Sequence, residues 1–124
     1  VWLFIQNTPL VSLTYARSKT LTREEVEMIF VCSPYRGNIE QNTLDAQQYC
    51  KEVIKAGEIP IAPHLYFPQF LDDTSPVERS MGIKAGLELM TYCREVWVFG
   101  ETVTEGMQEE ISFARTNNIP VKQM

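Results

Sequence analysis

From residue 28 onward, short apolar runs alternate with stretches of helical periodicity, and that alternation predicts strands followed by helices. Met28-Ile29-Phe30-Val31-Cys32 is apolar at every position, which suits a strand covered on both faces. After a turn at 33–37, Asn38 with Gln41 has the form of a capping box. Ala46, Cys50, Val53 and Ile54 supply the inner stripe of the helix that follows, and Gly57 suits its stop. Ile59-Pro60-Ile61-Ala62 predicts a second strand, placed at a sheet edge by its proline. An aromatic, proline-rich connection then runs from Pro63 to Asp73. Ser75-Pro76-Val77-Glu78 combines an N-cap serine, a proline at the first helical position and a glutamate at the third. The helix it opens is predicted to reach about Cys93, with Met81, Ala85, Leu89 and Cys93 as its seam. Gly82 and Gly86 permit close approach by a strand or a second subunit. A third strand at 96–99 leads through Gly100 into a helix over 105–117, ended by Asn117 or Asn118. Ile119-Pro120-Val121 completes the series as a short strand.

Strands alternating with helices imply βαβ units, and hence an α/β sandwich around a mainly parallel sheet of four or five strands. Loops 33–37, 63–73 and 100–106 then emerge on one edge, where such sheets bind ligands. This domain covers residues 26–124. Residues 1–25 read as an N-terminal extension: Val11, Leu13 and Tyr15 alternate with Ser12 and Thr14 as in a hairpin or edge strand, and Thr22 with Glu25 resembles a capping box.

Composition narrows the partners. With 124 residues, 44% hydrophobic and 22% charged, the chain is sized for one soluble domain. A formal net charge of −5 argues against nucleic acid and anionic membrane as partners, but permits a small anionic ligand held by local donors. No run approaches the ~18 apolar residues that span a bilayer. Val1-Trp2-Leu3-Phe4-Ile5 lacks the basic start and cleavage site of a signal peptide. Cys32, Cys50 and Cys93 are scattered, and Cys32 and Cys93 read as small core residues, so a reducing cytoplasm is the simplest location. One histidine builds no metal site, and neither metal nor cofactor is expected.

The candidate chemistry centres on Glu110. In a helix over 105–117, Met107, Ile111, Phe113 and Ala114 face the core, and Glu110 falls inside that stripe while Glu109 points to solvent. A carboxylate there needs a partner, such as Arg36, or a purpose. Ionised, it can attack the anomeric carbon of a C–N glycosidic bond. Ser33-Pro34-Tyr35-Arg36-Gly37 precedes a helix N-terminus, where amides, a hydroxyl and an arginine can hold an anion; an ordinary turn is the alternative. No Gly-x-Gly-x-x-Gly or P-loop is present. His64 follows the second strand as either a substrate contact or a capping or surface residue. Asp73 is either an assisting acid or, with Asp72, an acidic approach to the next helix. Tyr66, Phe67 and Phe70 either stack on a planar base or pack the connection. Gly100, Gly106 and Met107 complete the set of candidate substrate contacts.

Three segments carry a family resemblance: Ser33-Pro34-Tyr35-Arg36-Gly37, Ala62-Pro63-His64 and Gly106-Met107-Gln108-Glu109-Glu110. Over residues 28–122 the chain resembles the nucleoside 2-deoxyribosyltransferase-like superfamily, especially its small bacterial or phage-encoded branch. The resemblance implies a flavodoxin-like fold, dimers or larger oligomers with pockets often completed by neighbours, and a nucleoside or nucleotide substrate. It maps the catalytic glutamate onto Glu110. Ser33, Arg36 and Gly37 are the nearest match to the 5′-phosphate loop of related deoxynucleotide N-hydrolases. Met107 stands where members usually have threonine, Gly86 where they have an aspartate, and Arg94 where an aspartate precedes strand three. The functional expectation is cleavage or transfer at the N-glycosidic bond of a (deoxy)nucleoside or its 5′-monophosphate. Alternatives are a non-catalytic module for a nucleotide or an ADP-ribose-like ligand, and a lysine-decarboxylase-like phosphoribohydrolase. The last also uses a Gly-x-x-x-Glu helix, but its Pro-Gly-Gly-x-Gly-Thr-x-x-Glu is not reproduced, since Glu105 directly precedes Gly106.

Overall fold

A computed structural model describes residues 28–124; the hairpin and capping box expected within 1–25 lie outside the described residues. Strand β1 (Met28–Cys32) is followed by α1 (Ile39–Lys55), β2 (Ile59–Ile61), the short α2 (Pro63–Tyr66), α3 (Pro76–Met90), β3 (Glu95–Val98), α4 (Glu105–Thr116) and β4 (Val121–Gln123). The four strands form one sheet in the order β2-β1-β3-β4, and every pairing is parallel. This is the three-layer α/β/α architecture of flavodoxin-like folds.

Alternation along β1 builds both layers. Ile29 and Val31 pack with Val53 of α1 and Phe99, and Tyr49 stacks on Phe99 at 4.6 Å between ring centres. Phe30 and Cys32 face the other way, against Met90 of α3 and Met107 and Ala114 of α4. The chain leaves β1 towards β2 on one side and returns to β3 on the other. A crevice therefore opens above the carboxyl ends of β1 and β3, where the winding reverses.

Several predicted details shift. On α1, Ala46, Tyr49, Cys50 and Val53 form the inner face, whereas Ile54 is 62% exposed. Ile54 sits about 100° around the helix from Val53, past the edge of the sheet that α1 covers. Residues 63–73 are not an open connection: Pro63 occupies the first position of α2, and a 3-10 turn follows at Phe67–Gln69. Helix α3 stops at Met90, and its buried residues are Gly86 and Met90, with Gly82 half-buried on the same line, while Met81 is 55% exposed. A hydrophobicity count treats glycine as blank, yet these two glycines are the contact: added Cβ atoms would lie 3.4 Å from Leu71 and from Pro63. Strand β3 begins at Glu95, one residue early. Strand β4 is 121–123, because Asn118 turns left-handed (φ 57°) and Ile119 still closes α4 by donating to the Ala114 carbonyl.

At the edge of the sheet opposite the crevice, charges tie the strands together. Arg94 reaches Glu58 at 2.7 Å and Glu95 at 3.0 Å, and Lys122 of β4 reaches Glu95 at 3.2 Å. Trp97 Nε1 donates to the other Glu95 oxygen at 2.8 Å. These donors, Trp97 first, hold the Glu95 carboxyl below its ordinary range.

Candidate functional site

A cavity of about 220 Å³ occupies the crevice. The turn after β1 gives it Ser33, Tyr35 and Arg36; α2 gives His64; α3 gives Arg79, Gly82 and Gly86; and α4 gives Gly106, Met107 and Glu110. Asp73 and Phe67 reach it from the segment between α2 and α3. The three loops expected on this edge are therefore brought together.

Glu110 enters in the second turn of α4, half-buried and on the cavity wall. Arg36 is not its partner. Instead the Cys32 thiol donates to Glu110 Oε1 at 3.4 Å, and Arg36 Nε pairs with Asp73 at 3.0 Å while its Nη2 donates to the Asp73 carbonyl. Burial pushes the Glu110 carboxyl up to about 7; the Cys32 hydrogen bond opposes that rise and neighbouring Glu109 adds to it. Glu109 is exposed as expected, yet it also borders the cavity.

His64 is neither a cap nor a surface residue. Its Nε2 lies 2.9 Å from Ser33 Oγ, and burial pushes its pKa down to about 4, so the ring is neutral near pH 7. Tyr35 packs edge-on to it, 6.2 Å between ring centres. The first turn is held from behind by Asn42, whose side-chain amide donates to the carbonyls of Tyr35 and Arg36. Asn38 caps α1 by accepting from the Gln41 amide, but the Gln41 side chain turns to Asp45, so the reciprocal half of the box is not made.

Pro34, Gly37 and Gly100 do not line the cavity. Gly37 bends the first turn with φ 102°. Gly100 has φ 96°, and a Cβ there would lie 3.2 Å from Pro34 Cδ. Gly100→Ala is expected to lower stability by about 1–3 kcal/mol, since it meets an unfavourable φ and a close contact together. Urea unfolding of the two proteins checks this.

Met107 is placed in the core and explains its own presence. The Met107 amide donates to Thr104 Oγ1 at 3.2 Å and the Thr104 amide to Met107 Sδ at 3.5 Å, so the methionine completes a capping box. The same side chain fills the cluster beneath α4. Tyr66, Phe67 and Phe70 pack on one another with centres 5.1–5.9 Å apart, and of the three only Phe67 meets the cavity.

Cys32 is the core residue its apolar surroundings predict, and its thiol also reaches Glu110, a contact the sequence does not signal; Arg79 on the cavity carries no sequence signal of its own. Helices of a βαβ unit begin at the carboxyl edge, so the first turn of α3, with Arg79, belongs on this cavity. Arg79 has no ion-pair partner among the described residues, and three free cysteines and no cluster able to hold a metal are found among them. No described helix is long and apolar enough to cross a membrane.

A parallel flavodoxin-like sheet with a ligand-sized cavity at its switch point defines the class. The chain belongs to the family described as a domain of unknown function, DUF7768, whose model matches residues 27–124. No curated protein matches it. Among solved structures, a 2-deoxyribosyltransferase from the psychrotolerant bacterium Bacillus psychrosaccharolyticus superposes with a TM-score of 0.59 at 17% identity, covering 77% of this chain and 70% of that one. That likeness establishes a distant nucleoside deoxyribosyltransferase-like fold.

Proposed function

We propose that the protein cleaves or transfers the N-glycosidic bond of a (deoxy)nucleoside or its 5′-monophosphate, with Glu110 as nucleophile. The observation that carries this is an acidic side chain turned inward onto a cavity at the switch point, a cavity that Ser33 and Arg36 also line. The shared fold with a 2-deoxyribosyltransferase supports it. In this reading the ionised Glu110 attacks the anomeric carbon; a C–O bond forms, the C–N bond breaks, and its electron pair leaves with the base, which takes a proton from solvent. Water or a second base then attacks the same carbon and releases the carboxylate.

The remaining groups position the substrate. His64, held neutral, is a poor proton donor near pH 7, and Asp73 is engaged by Arg36, so both act by hydrogen bonding. Ser33 and Tyr35 face the sugar, Arg36 and Arg79 supply positive charge for a 5′-phosphate, and Phe67 offers a flat apolar face to the base. Gly106 lets the ligand approach the start of α4. Neither metal nor cofactor enters. The partner is a small nucleoside or nucleotide, and exposed Val77 and Met81 on α3 support assembly with further copies of the chain. Incubation with a panel of nucleosides and monophosphates, followed by chromatography for free base, tests the reaction. Absence of turnover above a Glu110→Gln control removes it.

One observation favours a non-catalytic nucleotide-binding module instead: a carboxyl titrating near 7 is only half ionised at neutral pH, and Asp73, which could assist it, is occupied by Arg36. Thermal stabilisation by a nucleotide without base release identifies that case.

A further inference from the structure

We propose that Cys32 is the positioning residue of the site: its thiol, the last side chain of β1, donates to Glu110 Oε1 and fixes how that carboxylate is presented to the cavity. The Cys32 side chain is fully buried and lies between two acceptors of the same helix, Glu110 Oε1 at 3.4 Å and the Met107 carbonyl at 3.9 Å. It therefore links the central strand to the first turns of α4. Oε2 of Glu110 accepts no hydrogen bond among the described residues, which leaves that oxygen for a ligand. Other charged groups on the cavity are Arg36 and Asp73, paired with each other, Glu78 and Arg79 on α3, and Glu105 and Glu109 on α4. None of them donates to Glu110.

The choice of sulfur has physical content. A thiol tolerates the apolar layer of Phe30, Val98 and Met107 better than a hydroxyl, and it is a weak donor. It orients the carboxylate without holding it permanently ionised, as an arginine would. Burial, with the nearby carboxylate, pushes the thiol's own pKa far up, so Cys32 remains a donor while Glu110 titrates. The hydrogen bond stands whether or not Glu110 is a nucleophile; its kinetic consequence rests on that reading.

The test follows the Glu110 carboxyl carbon by nuclear magnetic resonance in the full chain, with the signal assigned by its loss in Glu110→Gln. Cys32→Ala is expected to move the Glu110 midpoint upward by about 0.5–1 pH unit, the size set by one modest hydrogen bond. Cys32→Ser, which keeps a donor, is expected to bring it back towards the original value. Equal midpoints in all three proteins, or equal shifts in both variants, overturn the proposal. Infrared spectra of the unaltered chain give an independent reading: the Cys32 S–H stretch is expected to shift as Glu110 ionises, and a band indifferent to pH overturns the bond outright. These titrations decide the role of Cys32 even where no base is released, whereas intact titration without turnover counts against the enzymatic reading alone.

Discussion

Glu110→Gln is expected to abolish base release, lowering turnover by roughly three to four orders of magnitude, the usual cost of deleting a group that bonds to the reacting atom. Glutamine preserves the volume and the contacts of the second turn of α4, so the loss reports chemistry and not collapse. The unaltered protein should gain activity about tenfold per pH unit below neutrality and level off above it, because the attacking form is the carboxylate and its midpoint is about 7. Initial rates across pH 5–9, compared with binding of the same nucleotide to Glu110→Gln, check both statements. A variant that keeps a tenth of the activity, or a rate that falls as pH rises through 7, refutes the assigned role.

The second large effect is on stability. The Glu110 carboxyl titrates near 7 in the folded chain against an ordinary value of 4.5, so between those values the folded state holds the extra proton and stability falls as pH rises. For His64 the signs invert: about 4 folded against 6.5, so the unfolded chain holds the extra proton and stability climbs as pH rises through that window. Each contributes about 3 kcal/mol across its window, and from pH 4.5 to 6.5 the two slopes oppose one another. Glu110→Gln should therefore expose the rising His64 slope and be the more stable protein above pH 7. His64→Gln should expose the falling Glu110 slope. Urea midpoints for the three proteins at pH 4 to 8 read this directly, and parallel curves would refute it.

The strand and helix order was legible because it rests on local chemistry. Asn38 and Ser75 each cap a helix through their own side chains, and β1 is apolar at every position, whereas the Thr104 cap of α4 became visible only in the fold. The convergence of Ser33, Arg36, His64, Asp73 and Glu110 followed from the parallel topology, which gathers the loops after β1, β2 and β3. Pairing was not legible. Arg36 chose Asp73 over Glu110, and Cys32 found Glu110 across 78 positions of sequence, because such choices depend on distances that only the folded chain sets. The seam of α3 was legible only in part, for a related reason: Cys93 is buried as expected, but Met81 is exposed and Gly86 and Met90 are buried in its stead. Burial there comes from backbone proximity to Pro63 and Leu71, which no scale of side-chain hydrophobicity records.

The ionic tie among Glu58, Arg94, Glu95 and Lys122 has a practical consequence. It ties the approach to β2, the start of β3 and β4 together at the pole remote from the cavity, so the scaffold does not depend on the segments that line the cavity. Exchange of 67–73, which carries Phe67, Leu71 and Asp73 of the cavity wall, should therefore reshape the cavity while the foundation stays put, which makes this small domain a candidate chassis for loop grafting.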